Sequence, residues 1–226
     1  MRHTAVTLAA LALLCGPAPA ARADFILDPA SASTNAAIVV ASPSHAINQS
    51  GLSAPYTSGV TDFAAYIASN PTHNSGPAAN SFAGHNNSLG FTPFNLDFNL
   101  GGTFTLDAFA LWNFGSNAFV NVVGFDLLAS ADSSFSSTTL LGSFNANPNT
   151  GFGSAVLPEV FTFTPTSAAF VRMRITSNNG FSSTIFGEAA FSVQAAATSV
   201  PEPSTFALLG LGALALVGYA RRRKAA

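Results

Sequence analysis

Phe170-Val171-Arg172-Met173-Arg174-Ile175-Thr176 alternates apolar and polar side chains with a period of two. That period places Val171, Met173 and Ile175 on one face of a strand and both arginines on the other. The pattern recurs along the chain. Phe104 and Leu106 alternate with Thr103, Thr105 and Asp107; Phe161 and Phe163 alternate with Thr162 and Thr164; Val123, Phe125, Leu127 and Ala129 share one face. Only the short piece 61–69 has a helical spacing. Segments rich in Gly, Asn and Ser (71–87, 130–137, 145–153, 177–183) separate these runs as turns and loops. Strands with a single apolar face are buried in an antiparallel sandwich. The expected fold is all-β, an antiparallel β-sandwich over residues 24–197.

Basic residues are concentrated at the ends. Of eight Lys and Arg residues, Arg2, Arg22, Arg221, Arg222, Arg223 and Lys224 lie at the extremities. Between Asp24 and Val200 there are two arginines against nine acidic residues, a formal charge of −7. Such a span cannot neutralise a phosphate backbone, which excludes nucleic acid as a partner. With 21 phenylalanines the chain has enough apolar surface to fold despite its low charge. The only cysteine, Cys15, lies in the N-terminal apolar stretch, so the β-domain has neither a disulfide nor a thiolate metal site.

The ends read as targeting segments. Met1-Arg2-His3, an apolar run over 5–15 and the small-x-small pair Ala21 and Ala23 form a signal peptide over 1–23, cleaved after Ala23. A lipoprotein at Cys15 is the alternative, although Leu14 is bulkier than a lipobox wants. At the other end, Val200-Pro201-Glu202-Pro203-Ser204 precedes an apolar stretch over 206–220 and then Arg221-Arg222-Arg223-Lys224. Fifteen helical residues span only about 23 Å at ~1.5 Å each, short for a hydrocarbon core of ~30 Å even with Ser204 and Thr205 added. Residues 198–226 thus form a tail with one transmembrane helix at 204–220 and a basic cytoplasmic end at 221–224. The order of these parts resembles the PEP-CTERM sorting signal. That resemblance implies recognition of Pro201, Glu202 and Pro203 by a membrane-embedded exosortase, an inner-membrane-anchored precursor, and a final place at the cell-envelope surface or in the extracellular matrix.

The middle of the chain resembles the discoidin-like, galactose-binding jelly rolls. The resemblance rests on the order of several fragments: Ala46-Ile47-Asn48-Gln49-Ser50-Gly51-Leu52, Phe109-Ala110-Leu111-Trp112-Asn113, the run Phe125 to Asp132, Leu141-Gly142-Ser143-Phe144, Phe170 to Ile175, and Ile185-Phe186-Gly187-Glu188-Ala189-Ala190-Phe191. It implies a jelly-roll sandwich, a carbohydrate ligand and, in related domains, a structural calcium. The long loops over 56–89 match nothing in that family.

Candidate site residues follow from both arguments. His73 with Asn74, and His85 with Asn86, stand in polar loops; the plain alternative is that they are solvated. Trp112 beside Asn113 would suit a sugar, the ring stacking and the amide bonding hydroxyls, though Trp112 also ends an apolar run that core packing would absorb. Arg172 and Arg174 either line a carbohydrate face or pair with acids across the sheet, Glu188 being on a late strand. Asp132 is either a turn cap or a calcium ligand. No nucleophile elbow, glutamate pair or phosphate loop points to catalysis, and no cofactor is required. The expected function is a non-enzymatic, exported surface or matrix protein that binds extracellular polysaccharide in biofilm or floc formation. The alternatives are a structural matrix protein without a discrete ligand and a polysaccharide hydrolase.

Overall fold

The computed structural model describes residues 24–74, 80–87, 89–148, 155–194 and Gly212. The chain divides into two units, 1–195 and 196–226. The signal segment, the Pro-Glu-Pro motif and, apart from Gly212, the helix expected at 204–220 lie outside the described residues. Among the described residues no helix is long and apolar enough to cross a membrane.

The first unit is an antiparallel β-structure. Among the described residues its strands are β1 (Asp24–Leu27), β2 (Ser31–Thr34), β3 (Ile38–Ala41), β4 (Phe82–His85), β5 (Phe94–Asn113), β6 (Val122–Ser130), β7 (Thr139–Asn145), β8 (Glu159–Asn178) and β9 (Thr184–Gln194), with one short α-helix, α1 (Phe63–Ala68). They hydrogen-bond in the order β3-β4-β9-β5-β8-β6-β7, with β1 on β9 and β2 on β5. The two 20-residue strands tie two layers together. The first half of β5 pairs with β2 and the second half of β8, whose outer neighbours are β6 and β7; the second half of β5 pairs with β9 and the first half of β8. The register breaks between Asn99 and Phe104, where β5 passes from one layer to the other.

Inward-facing phenylalanines fill the space between the layers. Phe98, Phe109, Phe125, Phe161 and Phe191 form a connected set of rings with centroids 5.0–6.5 Å apart. Burying each contributes roughly 1.5–3 kcal/mol, which offsets chain entropy without a disulfide. Val171, Met173 and Ile175 are fully buried beside them, as their alternation requires. In β6 a register shift around Gly124 turns Val122 inward instead of Val123, because a bulge inserts one residue and flips the alternation before it.

A second apolar cluster lies on the far face of β5 and β9: Ile26, Tyr56, Phe63, Tyr66, Ala108, Ala110, Trp112 and Ala190. The segment after β3 and α1 roof it, and Asp62 caps α1 by accepting from Ala65 N at 2.7 Å. The 108–112 stretch is therefore buried on both faces, so it reads as a continuous apolar run rather than an alternation.

Candidate functional site

The start of β6 and the end of β8 lie at one end of the unit, where Val122 pairs with Asn178. Three connecting segments meet there: 86–87 with 89–93, 114–121, and 179–183. Each exposes an apolar side chain, namely Leu89, Phe119 (57% exposed) and Phe181 (52%). Leu89, Gly90, Phe91, Gly180, Phe181 and Ser182 line a cleft of ≈ 410 Å³ between two of these loops.

Asparagine side chains hold the loops. Asn113 closes on Val122 twice, donating Nδ2 to its carbonyl at 2.9 Å and accepting its N–H at 3.0 Å. Asn121 accepts from Phe114 N at 3.0 Å, and its carbonyl accepts from Asn179 N at 3.2 Å, joining two loops. Asn178 donates to the carbonyls of Phe181 and Ser183, both at 2.8 Å. Asn86 accepts from Ala37 N and donates to Pro93 O, both at 2.8 Å. An amide that both donates and accepts can bridge a loop to a strand end. The exposed rings therefore stand on braced loops.

The residues expected from sequence are scattered. His85 and Asn86 lie at this loop end, His85 half-buried at the close of β4. Trp112 and His73 do not serve as surface groups. Trp112 is fully buried and donates its indole N–H to Pro71 O at 2.9 Å, so the plainer reading of it is correct. His73, expected in a solvated loop, is 1% exposed, with Nε2 donating to Ser50 O at 2.9 Å. Burial lowers its pKa and keeps it neutral. Asn74 is exposed beside it, and Asn113 is buried as a clasp. Arg172 pairs not with Glu188 but with Asp97 of β5, through Nε and Nη2 each at 2.7 Å; Arg174 is exposed two residues on. Phe119 and Phe181 escaped sequence reading. The signal of Phe181 was a lone aromatic amid Gly, Asn and Ser, whereas Phe119, between Ala118 and Val120, carried none.

A buried polar network lies on the far face. Gln49 donates its N–H to Glu188 Oε2 at 2.8 Å and its amide Nε2 to Asp28 Oδ2 at 2.6 Å; Tyr56 donates its hydroxyl to Asp28 Oδ1. Glu188 is 0% exposed and its Oε1 has no partner. Burial, and then the charge of Asp28, push its pKa well up; burial also raises Asp28, against the bonds from Tyr56 and Gln49. The same burial and carboxylates push Tyr66 up to about 12.

Asp132 does not fit a calcium ion. Its carboxylate accepts from Ser134 N at 2.9 Å, from the Ser134 hydroxyl and from the Ser136 hydroxyl at 3.0 Å, which closes a turn and lowers its pKa. Among the described residues no three His, Cys, Asp or Glu side chains converge on a metal site. Beside Asp28, Glu188 Oε1 is a fully buried carboxylate oxygen with no hydrogen-bond partner.

Residues 199–224 match the PEP-CTERM protein-sorting motif. None of the curated proteins matches this sequence. Among solved structures, the unit resembles the family 32 carbohydrate-binding module of C. perfringens NanJ in complex with galactose, at 16% identity and TM-score 0.50, covering 75% of this chain and 98% of that one. A module named CBM32-3 from a family 31 glycoside hydrolase of Clostridium perfringens matches at 12% identity and TM-score 0.51, covering 75% and 95%. A truncated AlyQ with CBM32 and alginate lyase domains matches at 16% and 0.51, covering 81% of this chain and 37% of that one. The chain thus joins a β-sandwich with the fold of family 32 carbohydrate-binding modules to a PEP-CTERM sorting tail.

Proposed function

We propose that this is an exported, non-enzymatic glycan-binding protein. An exosortase sorts it at the inner membrane, and it then holds exopolysaccharide at the cell surface or in a biofilm or floc matrix. The observation that carries this is the convergence of Leu89, Phe119 and Phe181 on one end of a fold shared with carbohydrate-binding modules. Aromatic faces pack against the C–H face of a sugar, and braced loops lower the entropy lost on binding. Glu188 is fully buried, and the half-buried Asp28 beside it accepts from Tyr56 and Gln49, so the pair is not set to flank a glycosidic bond, which supports a non-catalytic role. Calcium, where it binds, is held by the same pair and braces the roof over the second cluster.

The test is a glycan array probed with the full-length protein in detergent. Binding should fall at least about tenfold in Phe119→Ala/Phe181→Ala with the melting temperature unchanged, since both rings are exposed. Wild-type protein that binds no glycan, with or without calcium, leaves the structural-matrix reading in its place.

A further inference from the structure

We propose a second glycan contact at the end of the unit opposite the loop face, built for one ring of an uncharged sugar chain. It rests on the glycan-binding reading above and goes beyond it by adding a site and a ligand charge class. At the far end of β6, Ser130 pairs with Phe170, which in turn pairs with Asn99 of β5. The nine residues of β6 separate this end from the loop face by about 26 Å at ~3.3 Å each.

A cleft of ≈ 220 Å³ opens here, lined by Ser31, Ser33, Asp97, Asn99, Phe135 and Phe170 among others. It is smaller than the ~300–1,000 Å³ of sites that enclose whole ligands, which suits one ring of a chain lying across it. The strand register explains the assembly: Ser31 faces Asn99, Ser33 faces Asp97, and Asp97 faces Arg172, all on the side of the sheet away from the core. Arg172 organises the site. Two of its N–H groups hold Asp97, and its guanidinium lies 4.1 Å from the centroid of the Phe135 ring. Phe170 meets that ring edge-on at 6.4 Å. Polar groups and half-exposed rings thus face one small space, the combination that takes a sugar's hydroxyls and its apolar face.

The backbone of Phe135 adds a separate observation. It has φ +54°, a conformation costly for a bulky residue and held only where its surroundings impose it. The turn closed by Asp132 on Ser134 and Ser136 imposes it and aims the ring over Arg172. The ligand class follows from charge. Arg172 is already neutralised, Asp97 faces the cleft, and the span around it has a formal charge of −7. A uronate or sulfated chain would be repelled, whereas a neutral hexose polymer would not. Two sites at opposite ends would let one molecule bridge two polysaccharide chains.

The experiment uses full-length protein in detergent on an array of neutral galactans, glucans and mannans beside alginate and hyaluronan, followed by agglutination of beads coated with the best neutral binder. Phe135→Gly removes the ring at a backbone conformation glycine prefers, and Ser33→Gln fills the cleft from an exposed strand position. Each should leave the melting temperature unchanged, lower binding to the coated beads at least about tenfold through lost avidity, and abolish agglutination. Adding Phe119→Ala/Phe181→Ala should then remove the remaining binding. Wild-type agglutination by both cleft variants, or preferential binding of alginate or hyaluronan, overturns the second site while the loop-end reading stands. Wild-type protein that binds nothing on the array overturns both.

Discussion

A Cβ placed on Gly187 would stand 2.4 Å from Nδ1 of His73, nearer than real Cβ atoms approach anything. From the other side, a Cβ on Gly51 would lie 2.8 Å from Nε2 of the same ring, at a backbone φ of +97°. The imidazole is thus gripped between β9 and the 49–52 turn, while the His73 backbone bridges to Leu52 and Val156. His73 is a keystone that pins three loops to the sheet.

Gly187→Ala should therefore lower stability by about 1–3 kcal/mol through overpacking, read as an earlier denaturation midpoint at unchanged slope. His73→Ala alone should cost about 2–4 kcal/mol through the cavity it leaves. The double variant should be less destabilised than the two single effects together, because removing the ring makes room for the methyl group. Strict additivity would show that ring and glycine do not compete for space.

Stability should also depend on pH through Glu188. Its pKa is raised in the folded protein by burial and by Asp28, so the folded state keeps a proton that the unfolded chain releases above about 4.3. Stability from this group is complete below that pH and is lost as pH rises toward the folded value, by at most about 1.4 kcal/mol per pH unit. Asp28 acts in the same direction. His73, lowered by burial, acts oppositely, losing stability as pH falls below about 6.5. Melting temperatures of wild type and Glu188→Gln separate these effects: the two proteins should converge near pH 4 and diverge upward, the variant being the more stable. Calcium should raise the wild-type value most at high pH and leave the variant unmoved. Parallel curves without divergence would contradict a protonated Glu188.

Asn113→Leu should cost about 1–3 kcal/mol for each Val122 backbone group left unpaired. It should weaken glycan binding as well, because the clasp sets the 114–121 loop that presents Phe119. A variant that loses stability but retains full affinity would show that the loop does not depend on the clasp. Titration on the best array glycan beside a urea melt measures both.

The strand system was legible because half-buried strands write their faces into the sequence. Phe170 to Thr176 reads directly as a β8 segment with Val171, Met173 and Ile175 inside and both arginines outside. The helical spacing over 61–69 marked α1 in the same way. Where two faces are buried or a bulge intervenes, the pattern fails. Trp112 lies in a run covered on both sides, so its burial could not be separated from exposure beside Asn113. Val122 replaced Val123 inside the sandwich because of a bulge that periodicity does not encode.

The site was less legible than the fold. His85 and Asn86 reached the loop end, but Phe119 and Phe181 carry no pattern; Phe181 shows only the oddity of a ring in a polar segment. Arg172 was found on the correct face with the wrong partner, since Asp97 lies 75 positions away and only strand pairing brings the two together.

By itself the sequence determined the all-β class, the alternating core faces, the negative and charge-poor surface and the sorting tail, all of which depend on local order or on totals. Only the tertiary structure decided that His73 is a keystone, that the buried Glu188 lies beside Asp28, and that three loops expose their apolar side chains at one end. Those facts depend on contacts between residues far apart in the chain, and such contacts leave no periodic trace.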